Sequence, residues 1–193
     1  MAAAGCALGV HYPAYDPGAT QSLRIPGGQH CLQLLDQLGV AYRRSPGGAG
    51  MRTPVEVQGP IAGVRYVGGG GAPLVCDCRL ALALHWAGPV FTARGIAEIR
   101  HMGAYSNRTT RNGRPSMHAS GLAIDVAGFR FPDRELQVVD EYVAGFGHDC
   151  AEDAPALNRL VCELRALGLF RELITPDHDS DHRDHVHLSI LPL

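Results

Sequence analysis

Leu122-Ala-Ile-Asp-Val-Ala-Gly-Phe-Arg-Phe131 reads as a buried β-strand with a single acid set into its apolar run. A carboxylate left unpaired in such a strand costs several kcal/mol, so Asp125 needs a metal or a cationic partner. Working outward, the residues able to supply one stand on both sides: Ser116-Met-His118-Ala-Ser-Gly121 just before the strand, and His182-Arg-Asp184-His185-Val-His187 near the end of the chain. Gly121 allows a turn or a close backbone approach, so His118 and Asp125 need not face apart despite their spacing. His185 and His187 are two residues apart, which on an extended strand projects both imidazoles from one face. A hydrolytic zinc ion takes three ligands from His, Asp or Glu and keeps a fourth position for water. His118, Asp125 and His187 are the expected ligands, and Zn2+ the expected cofactor. Taken singly, the histidine-rich tail reads as a solvated chelating loop and Asp125 as a satisfied core acid. Their joint occurrence favours the metal.

The flanking sequence supplies the rest of a domain. His30 to Leu38 carries leucines at helical spacing and stops at Gly39. Val55 to Val67 alternates around Gly59-Pro60, predicting two short strands joined by a turn, and Gly68 to Gly71 reads as a flexible link. Leu74 to Ala87 predicts a second helix, with Pro73 at its start, Gly88-Pro89 as its breaker and Trp86 as a core anchor. Ile96 to Tyr105 predicts a strand leading into the polar, basic loop Ser106 to Pro115. Pro155 to Leu167 predicts an amphipathic helix closed by Gly168, and His185 to Leu191 a final alternating strand. Interleaved this irregularly, helices and strands indicate an α+β class, with residues 1–27 as an N-terminal extension and 28–193 as one domain.

Composition excludes several classes of function. The chain has 193 residues, 46% of them hydrophobic, enough for one sizeable core. Net charge is −2 and no face concentrates Lys and Arg, so no nucleic-acid partner is expected. The most apolar stretch, Leu80 to Val90, is broken by His85, Gly88 and Pro89, so no membrane span is expected either. The first residues carry neither the charged region nor the apolar core of a signal peptide, and Ala4-Gly5-Cys6 only faintly suggests a lipoprotein site. Six cysteines, at 6, 31, 76, 78, 150 and 162, fit an oxidising compartment better than the cytosol. Cys76 and Cys78 are expected as core thiols rather than, with His85, a partial metal site. Cys150 and Cys162 are candidates to close a local loop, with the connectivity open.

The pattern Ser116-x-His118-x-x-Gly121-x-Ala123-x-Asp125 with a closing His-x-His resembles the zinc peptidases grouped with D-Ala-D-Ala carboxypeptidases, murein endopeptidases and the hedgehog signalling domain. More narrowly, Gly103-Ala-Tyr105-Ser-Asn-Arg108, Gly128-Phe129 and Thr175-Pro-Asp177 join these motifs in a set that resembles the bacterial extensin-like C-terminal domain over residues 28 to 190. The resemblance implies a small antiparallel sheet flanked by helices, with zinc on the sheet held by His118, Asp125 and His187. It implies a periplasmic or secreted metallopeptidase that hydrolyses an amide bond in peptidoglycan stem peptides or cross-links. The general base falls on Asp184 by one set of relatives and on His182 or His185 by another. Arg108 takes the place of an arginine that steadies the oxyanion, and Arg111 or Arg114 is placed to meet a free carboxylate of the substrate. Cysteines usual in that family are replaced by Asn107 and by Gly50-Met51, so its disulfides do not carry over. Two alternatives are a zinc-containing cell-wall binding module without activity, and an antibacterial or phage-type murein hydrolase effector.

Overall fold

The computed structural model of the chain describes residues 24–110, 112–146, 151 and 153–192. The expected extension at 1–27 therefore lies almost wholly outside the described residues, and so do Cys6, Arg111 and Cys150. Helix α1 (Gly28–Gln37) is followed by β1 (Tyr42–Arg44), β2 (Pro54–Val57), β3 (Arg65–Gly68), β4 (Val75–Asp77), α2 (Cys78–Ala93), β5 (Glu98–Gly103), β6 (Ala123–Arg130), β7 (Glu135–Gln137), α3 (Val138–Glu141), α4 (Ala156–Ala166), β8 (Glu172–Ile174) and β9 (Val186–Ser189). The class is α+β, as the sequence predicts.

The described residues form two sheets where one was expected. A three-stranded antiparallel sheet runs β1-β2-β4. The larger sheet runs β3-β5-β6-β9-β8 with β7 also paired to β6, and it is mixed, because β3 lies parallel to β5. The two strands predicted within 55–67 thus exist but belong to different sheets; Ile61 and Val64 close a tight turn between them instead of a hairpin. The Gly-rich link is a 3-10 turn over Gly69–Gly71, with Gly70 at φ 65°.

The second helix differs most from expectation. It starts four residues late because Val75–Asp77 pairs with β2, and Asp77 then caps the helix by accepting a hydrogen bond from the Arg79 amide at 3.1 Å. It also runs through Gly88-Pro89 to Ala93. Leu80 to Leu84 are all fully buried, so this helix is apolar around much of its circumference and tertiary packing overrides the breaker. Trp86 packs against the core from a partly buried position.

Cys78, expected as a core thiol, is disulfide-bonded to Cys31, which ties α1 to the start of α2. Cys76 is a buried free thiol, pushed far up in pKa by burial. Cys162 is disulfide-bonded too. No helix among the described residues is long and apolar enough to cross a membrane.

Candidate metal centre

Strand β6 lies at the middle of the larger sheet, and its central position brings the site together. Asp125 stands directly opposite His187 of β9 on one side and opposite Gly103 of β5 on the other. His118 comes from a 3-10 turn over Met117–Ser120, capped by Ser116, whose hydroxyl accepts from the His118 amide at 3.3 Å. Gly121 ends that turn at φ 64°, and a Cβ there would stand 2.6 Å from Met51 Sδ and 2.7 Å from the Asp77 amide nitrogen. Only glycine fits, and the turn is thereby folded back so that His118 meets Asp125. The Asp77 amide donates to the Gly121 carbonyl at 3.0 Å, joining the turn to the start of α2.

Three donor atoms converge. His118 Nε2 is 3.1 Å from Asp125 Oδ1, His187 Nδ1 is 2.8 Å from the same oxygen, and the two imidazole nitrogens are 3.2 Å apart. Ligands about 2.0–2.1 Å from a tetrahedral zinc lie about 3.3 Å from one another, so two sides of this triangle are within about 0.2 Å of what the ion needs and the third is about 0.5 Å short. The donor chemistry also suits it, two imidazoles and one carboxylate, on residues almost wholly enclosed. Among the described residues this is the one such group. Burial raises the Asp125 carboxyl, but hydrogen bonds and charge from His118 and His187 outweigh it and hold the group far below the usual carboxylate range. The acid stays ionised.

The remaining expected residues surround this triangle at different depths. His185 Nε2 is 3.5 Å from Asp125 Oδ1, and its Nδ1 is 2.9 Å from Asp184 Oδ1. Asp184 therefore reaches the centre through His185, which holds the acid below its ordinary pKa. His182 sits one layer out, its ring 5.1 Å from that of His185 and 6.1 Å from that of His187. Arg108 Nη2 donates to Asp125 Oδ2 at 3.4 Å while its side chain stays 54% exposed. Arg114 is exposed in the loop before the turn. Cys76, Cys78 and His85 form no metal site, since Cys78 is oxidised and His85 sits on α2 with Nδ1 buried and unpartnered.

Two carboxylates that support the site, Asp179 and Asp177, were missed in the sequence reading. Asp179 Oδ1 is 2.7 Å from His182 Nδ1, fixing that ring, and its three-residue spacing from His182 was the only signal. Asp177 accepts from the Tyr142 hydroxyl and from the Gly145 amide, both at 2.6 Å, which anchors the histidine-bearing loop to the segment after α3. Nothing in spacing links residues 142 and 177.

Comparison with known proteins identifies one family: the extensin-like protein C-terminus, matched over residues 29–191. No curated protein and no solved structure matches the chain.

Proposed function

Given that this chain belongs to the extensin-like C-terminal family, we propose that it is a zinc-dependent peptidase that hydrolyses an amide bond in the stem peptide or cross-link of peptidoglycan. The observation that carries this reading is the convergence of His118, Asp125 and His187 with a fourth imidazole, His185, beside them. Three protein donors leave one position for water, the arrangement of catalytic rather than structural zinc. When bound, the ion supplies Lewis acidity, lowering the pKa of a water toward neutrality and sharing the charge that develops on an attacked carbonyl oxygen.

The protein's own groups do the rest. His185 is the base: with Nδ1–H donated to Asp184, its Nε2 is the free acceptor and faces the triangle. Asp184 fixes that tautomer and stabilises the imidazolium after proton transfer. Arg108 balances the charge of Asp125 from the exposed side and places a guanidinium at the mouth of the centre, where an oxyanion forms. His182, held by Asp179, lies with its ring 5.1 Å from and tilted 48° to that of His185 and helps to position it, and the protonated His185 gives the proton it has taken to the leaving amine. The Cys31–Cys78 disulfide supports a periplasmic or secreted location.

Zinc-loaded protein incubated with muropeptide dimers is expected to yield monomers, and His118→Ala protein to yield none. Dimers left uncleaved and stem peptides left untrimmed across several metals and pH values would overturn the enzyme, and tight zinc binding without turnover would support the binding module in its place.

A further inference from the structure

The two faces of the larger sheet carry different chemistry. Phe129 of β6, its ring 6.4 Å from that of Phe91 on α2, shares one face with Ile99, His101 and Val126, and all four are buried. Side chains alternate along a strand, so Glu98 and Arg100 of β5 and Gly128 and Arg130 of β6 belong to the other face. Between Arg100 and His101 the register steps over Ala127, a bulge that puts Asp125 on this second face as well.

Cross-strand pairing builds one charged row on it. Arg65 of β3 stands opposite Glu98, Glu98 opposite Arg130, and Arg130 opposite Glu135 of β7. Arg100 lies between this row and the metal centre, three residues along β5 from Gly103, the partner of Asp125, or about 10 Å. Arg65, Arg100 and Arg130 are far apart in sequence, so the expectation that no face concentrates basic residues gives way to one that strand pairing creates.

Glu98 organises the row from beneath. Its side chain is 4% exposed, with Oε2 2.8 Å from Arg65 Nη2 and Oε1 3.4 Å from Arg100 Nε and 3.9 Å from Arg130 Nη1. The three arginines lie outward of it, their side chains 61%, 36% and 45% exposed. Glu135 adds contacts of 3.6 Å to Arg100 Nε and 3.3 Å to Arg130 Nη2. Two carboxylates cannot saturate three guanidiniums, each with five N–H donors, and one positive charge is left over. Arg100 has the most to spare: both its ion pairs are long and use Nε, and it makes no hydrogen bond among the described residues. With Arg108 on Asp125, guanidiniums follow this face outward from the metal centre.

We propose that this arginine-lined sheet face binds the carboxylate-bearing arm of the peptide whose bond the metal centre attacks, with Arg100 as the specificity-determining residue. An extended peptide covers about 10 Å in three residues, so the carboxylate that Arg100 meets stands about three residues from that bond. The row alternates arginine and glutamate, which suits separate single carboxylates, whereas a polyanion with a phosphate at every step would also meet Glu135. For the identity of the peptide the inference rests on the peptidase reading; for the face itself it rests on register and charge.

Muropeptide dimers with free carboxylates, and the same dimers with those groups converted to carboxamides, test this on the zinc-loaded protein. The free-acid dimer is expected to be cleaved with kcat/KM about ten-fold above the amidated one, the difference lying in KM. Arg100→Gln is expected to bring that ratio near one by raising KM for the free-acid dimer; a residue that only supports the sheet would lower both rates alike and keep the ratio. Arg100→Lys, which holds the charge without the planar fork, is expected to keep part of the preference, and serves if the Gln variant fails to fold. Calorimetric binding of both dimers to zinc-loaded His185→Ala protein, with and without Arg100→Gln, reads the same preference with turnover suppressed. Full preference in both folded Arg100 variants, or tighter binding of a single-stranded oligonucleotide than of the free-acid dimer, would overturn the proposal. Cleavage and binding indifferent to amidation would remove the carboxylate face and leave the peptidase; Arg100-dependent binding of the free acid, without cleavage by the wild type, would keep the face and remove the peptidase.

Discussion

At the scale of single residues, His185 and Asp184 divide one task that the sequence could not divide. The motif His182-Arg-Asp-His-Val-His187 offers four groups at close spacing, and which of them faces the metal depends on where β9 begins. It begins at Val186, leaving His185 in the preceding turn with Nε2 inward and Asp184 behind it. His185→Ala is therefore expected to lower kcat on muropeptide dimers by about 10²–10⁴ while zinc affinity stays unchanged. Asp184→Asn, which disturbs only tautomer and orientation, should cost about ten- to a hundred-fold. A larger loss from Asp184→Asn than from His185→Ala, in steady-state rates on one substrate, would move the base to the carboxylate. His101 makes a second prediction, on stability. Its pKa is about 4 in the fold against an ordinary 6.5, so the unfolded chain binds the extra proton between those values. The stability involved is fully present above pH 6.5 and lost as pH falls toward 4, by about 3 kcal/mol. Denaturant melts of wild type and His101→Phe should show the variant gaining on wild type by about that amount as pH drops from 6.5 to 4, and parallel pH profiles would refute it.

At the scale of elements, what was legible followed from periodicity and what was not followed from pairing. Helices α1 and α4 lie where helical spacing puts them, β9 where alternation does and β6 where a buried apolar run does, with β5 leading into the polar loop as expected, and the three expected zinc ligands fall together because β6 and β9 pair in register at Asp125 and His187. The short strands β1, β7 and β8 have three residues each, too few for alternation to register, and exist through their neighbours. The late start of α2 has the same origin, since Val75–Asp77 gains more by pairing with β2 than by extending a helix. That start matters to the site. Asp77 accepts from the Arg52 and Thr53 amides at 3.1 and 2.9 Å, and its own amide holds the His118 turn through Gly121. Next to it, Cys78 is locked to Cys31 across 47 residues of sequence, a loop whose closure is worth about 4 kcal/mol by chain entropy. Paired Cys31→Ala and Cys78→Ser substitutions should lower stability by about that amount and weaken zinc binding, because the junction they loosen supports His118. Cys76, fully buried with a raised pKa, should stay unreactive toward a thiol reagent until the protein unfolds; rapid labelling of native protein would contradict its placement.

At the scale of the whole molecule, the proposed ligands come from three elements that only the completed fold brings together: a turn before β6, β6 itself, and β9 at the far end of the chain. His118 and His187 are separated by 69 residues of sequence, among them β7, α3, α4 and β8. An unfolded chain therefore has no comparable site, and any zinc affinity of the native state becomes stability of the whole domain. At free zinc one hundred times the dissociation constant the gain is about 2.7 kcal/mol. In a domain of this size each kcal/mol moves the midpoint by about 2–4 °C, so zinc should raise Tm by about 5–10 °C and a chelator should reverse it. His118→Ala and His187→Ala should each abolish the shift, Asp125→Asn should reduce it, and His182→Ala, one layer out, should leave it intact. Equal shifts in wild type and His118→Ala by differential scanning calorimetry would place the metal elsewhere, for example at exposed His178 and half-buried Asp179 beside His182. The separation between these outcomes is itself a consequence of the fold, since β6 and β9 hold two ligands inside the sheet while the loop that carries the other histidines stays outside it.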